Sequence, residues 1–472
     1  MSVQEYLERH LLSRKIEDAV NAAVRAKTSD PVIFISNHMR KAVPAVITKV
    51  KARQIIDCRG IPTVEVDLST NKGTFRASVP SGDALGMYEA SELTYGASSR
   101  FEGIAKAVKN INERISEVLV GLDPTLQSLI DQAMIDLDKT EKKSELGASA
   151  MLAVSIAACR AGAAEKEVPL YKHISDLAGK TEMCLPIPSF TMITGGKHAG
   201  NNLAVQDIMI VPSGAQSFDE ALRMGSETYH HVKAVIADKY GSCGCSTGDD
   251  GGMIPNISSI REGLDIVKEA INRSGYKEKI KISIDVAATE FCIGTKYDFD
   301  FKSPTKEGKI FKSADDMIVM YKELCSEYPI WSIENPFDKE DWEHLKALSN
   351  LGLCQIVGDS FSMSNLKRLE RAIHDSACDS LLFKANQTNT VTEAIDTIKL
   401  AKDSQLGVII SHSCGETDDT FIADLAVGLA TKQIKSGAPC RGERLSKYNQ
   451  LLRIEEELGS NAVYTGEDWK PI

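Results

Sequence analysis

Lys281-Ile282-Ser283-Ile284-Asp285, Pro329-Ile330-Trp331-Ser332-Ile333-Glu334 and Gln355-Ile356-Val357-Gly358-Asp359 are short, mostly apolar runs that each stop on a carboxylate. Three more follow. Leu381-Leu382-Phe383 runs into Lys384, Val408-Ile409-Ile410-Ser411 into His412, and Gln433-Ile434 into Lys435. A strand covered on both faces reads as a continuous apolar run, so a charged residue closing each run belongs outside the core. Helical patterns at 315–326, 341–350, 365–375 and 392–403 separate the runs. After Glu334 the closing residues recur at intervals of roughly 25 residues, the length of one strand–helix unit. The pattern predicts an α/β fold, a (β/α)8 barrel over residues 181–472.

In such a barrel the carboxyl ends of the strands meet at one mouth. One polar residue there is ordinary loop chemistry; six in succession form a constellation. Asp285, Glu334 and Asp359 would repel one another in a partly dry site unless a cation stood among them. They are hard oxygen donors with no thiolate or imidazole at the same spacing, which favours Mg²⁺ over zinc. Three carboxylates beside two lysines, Lys384 and Lys435, suit proton abstraction next to a carboxylate, where fixed positive charge stabilises the dianion that forms. The expected substrate is a small carboxylic acid.

Upstream, Thr63 to Leu68 alternates, Asn71-Lys72-Gly73 turns, and Thr74 to Val79 returns, a hairpin pattern. Helical text follows at 104–120, 126–137 and 147–166. Separate blocks of strand and helix predict a small α+β domain over residues 46–180. Residues 1–45 read as a hairpin of two helices. The first carries Val3, Tyr6, Leu7, Leu11, Ile16, Val20 and Val24. Asp30 caps the second and Pro31 opens it. So small a unit buries little by itself, so a partner is expected: a second copy, making a homodimer or higher oligomer, or a helical docking partner.

The formal net charge is -11 and no basic stripe is present, which argues against nucleic acid as a partner. No apolar run reaches the ~18 residues of a membrane span. The 11 scattered cysteines and the polar N-terminus predict free thiols in a reducing compartment and a cytoplasmic location.

Beyond these patterns, several long motifs carry a family resemblance. Ala52-Arg53-Gln54-Ile55, Arg59-Gly60-Ile61-Pro62-Thr63-Val64-Glu65-Val66, Gly195-Gly196-Lys197-His198-Ala199-Gly200, Ser332-Ile333-Glu334-Asn335-Pro336-Phe337, Gly415-Glu416-Thr417 and Leu451-Leu452-Arg453-Ile454-Glu455-Glu456-Glu457-Leu458-Gly459 resemble enolase (phosphopyruvate hydratase) over about residues 50–470. Tyr6-Leu7 and Asp30-Pro31-Val32 with Phe34-Ile35 resemble the Dpy-30 / RIIα dimerisation-docking hairpin, and that extension resembles a plant-type cytosolic branch of the family. The resemblance implies that Asp285, Glu334 and Asp359 bind magnesium, that Lys384 takes the proton from carbon 2, and that Lys435 holds the substrate carboxylate. It places His198, His412 and Gln206 along the substrate pocket.

Other positions depart from the family pattern. Ser81-Gly82-Asp83-Ala84-Leu85-Gly86 replaces S-G-A-S-T-G, with Ala84 where a second-metal serine stands. Asp207 replaces the glutamate that usually follows Gln206, and Asp250 replaces the loop glutamate that assists loss of the hydroxyl. Ser413 and Cys414 replace the arginine and serine that grip the substrate phosphate. Three readings follow: a 2-phosphoglycerate lyase weakened at its phosphate clamp, a magnesium lyase or isomerase for an acid without phosphate, or a pseudo-enolase scaffold that docks partners through its hairpin.

Overall fold

The computed structural model describes residues 2–82, 99–140, 143–197, 199–302, 310–358 and 366–467. The chain opens with three helices, α1 (Val3–Arg9), α2 (Leu12–Ala26) and α3 (Pro31–Lys41). The expected first helix is thus two: Leu11 adopts φ 50°, a left-handed conformation that breaks the run without glycine or proline. Asp30 caps α3 by accepting from the Ile33 N–H, as its position before Pro31 predicts. Within α2 only Ala19 and Ala23 are buried, whereas Val3, Tyr6, Leu11, Ile16, Val20, Val24, Val32 and Ile33 are exposed. The ties to the rest of the chain include the Lys41–Glu167 ion pair at 2.6 Å and Arg40 donating to the Lys72 carbonyl.

An antiparallel sheet follows, β1 (Ile47–Ile56), β2 (Pro62–Thr70) and β3 (Thr74–Ser78), paired in that order. Helices α4 (Arg100–Asn110), α5 (Ser116–Leu119) and α7 (Ala148–Glu165) pack on it, while α6 (Gln127–Leu137) and α8 (Leu170–Leu177) pack against α7. Apart from Ser149, Ser155 and Arg160, helix α7 consists of small or apolar residues from Ala148 to Ala164, which is why it runs through the core rather than over it.

The barrel strands are β4 (Ile187–Thr194), β5 (Asp207–Val211) and, after α9 (Phe218–Tyr240) and α10 (Ile260–Ser274), β6 (Lys281–Asp285). A small sheet interrupts here, β7 (Cys292–Ile293), β8 (Lys296–Asp298) and β9 (Phe311–Ser313). Then come α11 (Ala314–Glu327), β10 (Ile330–Glu334), α12 (Trp342–Ser349), β11 (Gln355–Gly358), α13 (Leu366–Asp375), β12 (Ser380–Lys384), α14 (Val391–Asp403), β13 (Gly407–Ser411), α15 (Phe421–Gly428), β14 (Lys432–Lys435) and α16 (Gly442–Leu458). Among the described residues eight strands close into a barrel in the order β4-β5-β6-β10-β11-β12-β13-β14. Strand β5 is antiparallel to both neighbours and the other pairings are parallel. The uniform strand–helix repeat therefore fails at the start: β4 turns directly into β5, and two helices precede β6.

The small α/β region docks on the barrel through buried polar ties. Arg160 on α7 makes a two-pronged pair with Asp419, 2.8 Å on each arm. At the start of α14, the Val391 N–H donates to Ser155 Oγ at 2.9 Å and the Thr392 N–H to Asp131 Oδ2 at 3.0 Å. Among the described residues no helix is long and apolar enough to cross a membrane. Among the described residues no cysteine is held in a disulfide.

Candidate active site

Parallel pairing aligns the strand ends laterally. Glu334 stands in register with Asp285, and Lys384, Ser411 and Lys435 form a second row. Because β5 runs the opposite way, its first residue faces the mouth, and Asp207 lies in register with Asp285. The three carboxylates converge on one ammonium: Lys435 Nζ lies 2.7 Å from Glu334 Oε2, 2.9 Å from Asp285 Oδ2 and 3.2 Å from Asp207 Oδ2. All four side chains are buried.

Electrostatics follow from that crowding. Burial pushes Asp207 well above the usual carboxylate range, with Asp250 and Asp285 adding to the effect against the pull of Lys435. Burial likewise raises Glu334, and the adjacent Asp285 adds to it. Asp285 is pushed up by burial but held lower overall by Lys435 and its hydrogen bonds. Burial works against the Lys435 charge, yet the three carboxylates outweigh it and raise its pKa, so it is an ammonium. His412 is driven well below its ordinary value by burial and by the charges of Arg444 and Lys435; it is a neutral imidazole. Its Nδ1 sits 3.1 Å from the Lys435 carbonyl.

Asp250 comes from the 248–252 loop. Its Oδ1 accepts from Thr194 Oγ1 at 2.8 Å and from the Gly252 N–H at 3.0 Å, and the side chain shares a hydrogen bond with Asp207. The two aspartates thus form a hydrogen-bonded pair, with Asp207 against Lys435.

A cavity of about 100 Å³ collects most of the residues expected from the sequence: Gln206, Asp207, Asp285, Lys384, His412, Ser413, Cys414 and Lys435 all line it. Glu334 and Asp250 stand behind that lining, against Lys435 and Asp207. His198, Asp359 and Ala84 lie outside the described residues. Larger clefts of about 650 and 640 Å³ lie between the α/β region and the barrel and at the opposite end of the barrel strands, away from these groups. Sequence reading missed Asn386 and Gln387, which line the cavity two and three residues past Lys384. It also missed Asn335, whose Nδ2 donates to Asp285 Oδ1 at 3.3 Å from a left-handed backbone (φ 48°).

Asp207, Asp285 and Glu334 crowd hard carboxylate oxygens into one buried site, with no thiolate among them. Asp285 and Glu334 therefore fit a magnesium ion, to which Asp359 would add a third oxygen donor. Among the described residues no three His, Cys, Asp or Glu side chains form a ready metal cage, the carboxylates being turned onto Lys435 instead.

The family model described as "Enolase, C-terminal TIM barrel domain" matches residues 182–471, and that described as "Enolase, N-terminal domain" matches residues 47–174. "Cytosolic enolase 3" of Arabidopsis thaliana is 70% identical over 472 residues, covering 100% of this chain and 99% of that protein. The chain belongs to the enolase family. It is thus an enolase-family lyase with a TIM barrel, and enolases are in general magnesium-dependent. At the positions that depart from the enolase pattern, the structure gives the local contacts. Ser413 donates its hydroxyl to Asn386 Oδ1 at 2.5 Å and its N–H to Glu416 Oε1 at 2.9 Å. Its carbonyl and that of Cys414 accept from Arg444. Asp207 and Asp250 remain in hydrogen-bonding contact although each is one methylene shorter than glutamate.

Proposed function

We propose that this chain is a cytosolic, magnesium-dependent carbon–oxygen lyase that dehydrates 2-phosphoglycerate to phosphoenolpyruvate, with a weakened grip on the phosphate. The observation that carries the reading is the gathering of Lys384, Lys435, Asp285, His412 and the Asp207–Asp250 pair around one cavity. The relative named a cytosolic enolase supports it.

Lys384 takes the proton from carbon 2. Lys435, held as an ammonium, binds the substrate carboxylate and stabilises the charge that moves onto it. Asp207 holds its proton because burial, with Asp250 and Asp285 beside it, disfavours its charge, and it shares a hydrogen bond with Asp250. That proton passes to the carbon-3 hydroxyl, which leaves as water. Gln206 and His412 line the pocket, His198 is proposed as a further substrate-binding residue, and His412 acts as a neutral hydrogen-bonding group. Magnesium, bound by Asp285, Glu334 and Asp359, would supply positive charge for the same carboxylate.

Residues 1–45 are proposed as the dimerising or docking hairpin, 46–180 as the small α+β domain and 181–472 as the barrel domain. The apolar side chains exposed on α1 to α3 support an association role, and a diverged paralogue bearing such a hairpin is the subgroup proposed. A second reading, an acid without phosphate, is favoured by Ser413 alone: its hydroxyl is engaged by Asn386, and no arginine is among the cavity's described lining residues. The deciding experiment is magnesium-dependent turnover of 2-phosphoglycerate by the purified chain beside a true enolase. Absence of turnover in a folded, magnesium-loaded sample would sink the first reading.

A further inference from the structure

Arg444 on α16 is fully buried, and no carboxylate explains its position. Glu443 stands 3.7 Å from its Nε and is itself engaged by Arg441 at 2.8 Å. The guanidinium bonds to backbone instead. Nη1 donates to the Ser413 carbonyl at 3.1 Å, and Nη2 to the carbonyls of Cys414 at 3.0 Å and Asp249 at 3.1 Å. Nη2 also faces Cys58 Sγ at 3.7 Å. These groups belong to three separate stretches of chain. Ser413 and Cys414 line the substrate cavity, Asp249 precedes the acid Asp250, and Cys58 lies in the β1–β2 connection, whose N–H donates to the Glu416 carbonyl at 3.0 Å. The surroundings leave little slack. A Cβ on Gly437 (φ +85°) would lie 2.7 Å from the Asp250 carbonyl oxygen and 3.0 Å from Arg444 Cδ.

We propose that Arg444 is a positioning residue that fixes the spacing between the Asp207–Asp250 acid pair and the Ser413–Cys414 end of the cavity. The inference rests on the lyase reading above. A buried cation is tolerated when its donors find partners: Nη1 and Nη2 do, while Nε has no hydrogen-bond partner among the described residues, and the rigid planar fork holds the three carbonyls at a fixed spacing that a flexible ammonium does not. Loss of the fork releases both loops together. The Asp250 side governs departure of the hydroxyl and so kcat; the Ser413 side governs substrate binding and so KM. A displacement of about 1 Å at reacting groups can cost ~10²-fold.

The test compares Arg444→Lys, Arg444→Met, Ser413→Ala and Asp250→Asn with wild type. Readouts are 2-phosphoglycerate kinetics and hydrogen exchange over residues 246–253 and 411–417. The Arg444 variants should lower kcat at least tenfold and raise KM together, with faster exchange confined to both loops. Ser413→Ala should move mainly KM, and Asp250→Asn mainly kcat. An Arg444→Lys protein with kcat and KM within twofold of wild type overturns the proposal. If neither Arg444 variant folds, the residue is structural and the proposal is overturned as well. If wild type itself turns over no 2-phosphoglycerate, the lyase reading falls, and exchange alone decides. Joint opening of the two loops then supports the tie, and opening of one or neither overturns it.

Discussion

Replacing Ser413 by arginine, together with Cys414→Ser, tests whether the phosphate end of the cavity has lost its grip. The backbone commitments of Ser413, to Glu416 and Arg444, do not involve its side chain. Only the hydroxyl bond to Asn386 is surrendered, at about 1 kcal/mol for an ordinary hydrogen bond. A guanidinium on a phosphate gains ~1.5–3 kcal/mol, near the top of that range when two-pronged. The net is about 0.5–2 kcal/mol, so KM for 2-phosphoglycerate should fall roughly 2- to 30-fold. Turnover should change much less, because Asp207 and Asp250 are untouched and the new contact is made equally before and at the transition state. Steady-state kinetics at saturating magnesium measure both constants. An unchanged or higher KM in a folded variant would mean that phosphate does not sit at Ser413.

Magnesium should raise Tm through preferential binding to the folded state; Glu334→Ala should abolish the shift seen between EDTA and excess metal, and an undiminished shift would remove Glu334 from the metal site. Asp424, buried on α15, has its carboxyl pushed up to about 7 by burial, against the pull of Arg160. The folded chain keeps that proton while the unfolded chain loses it near the ordinary value of 3.8, so this group's stabilisation is complete below pH 3.8 and is lost as pH rises towards 7, by about 4 kcal/mol. Asp424→Asn should remove that slope, seen as a smaller drop in urea midpoint from pH 5 to pH 7.5; an unaltered drop contradicts it. Deleting residues 1–41 should leave the barrel's Tm within a few degrees while reducing self-association or partner capture, and sedimentation velocity that shows the same oligomer with and without them would end the docking idea.

The barrel was legible because six strand ends carry polar residues at a regular interval, and parallel strands deliver such residues to one rim. The reversed β5 was not. An apolar run such as Ile208-Met209-Ile210-Val211 reads alike in both directions, so the rule of looking at the last residue passes over Asp207, which leads its strand. Asp207 was reached only through family resemblance. Leu11 hid the break between α1 and α2 because a left-handed leucine leaves no compositional trace. Arg444 was invisible for a different reason: it sits within an unremarkable charged helix, and its partners are carbonyls of distant loops that no side-chain pattern encodes.

The two donors at the start of α14 have a consequence for how the molecule forms. A helix leaves its first N–H groups without partners of its own, and here those of Val391 and Thr392 are taken up by Ser155 and Asp131, which precede them by more than 200 residues in the chain. The helix that follows Lys384 is therefore finished by a part of the protein made long before it. During synthesis the N-terminal region emerges first and waits, and the last third of the barrel arrives to a template already carrying its caps. Heating should then melt the two regions in one calorimetric transition, and a barrel expressed without residues 46–180 should lose order first along α14, directly behind the catalytic lysine.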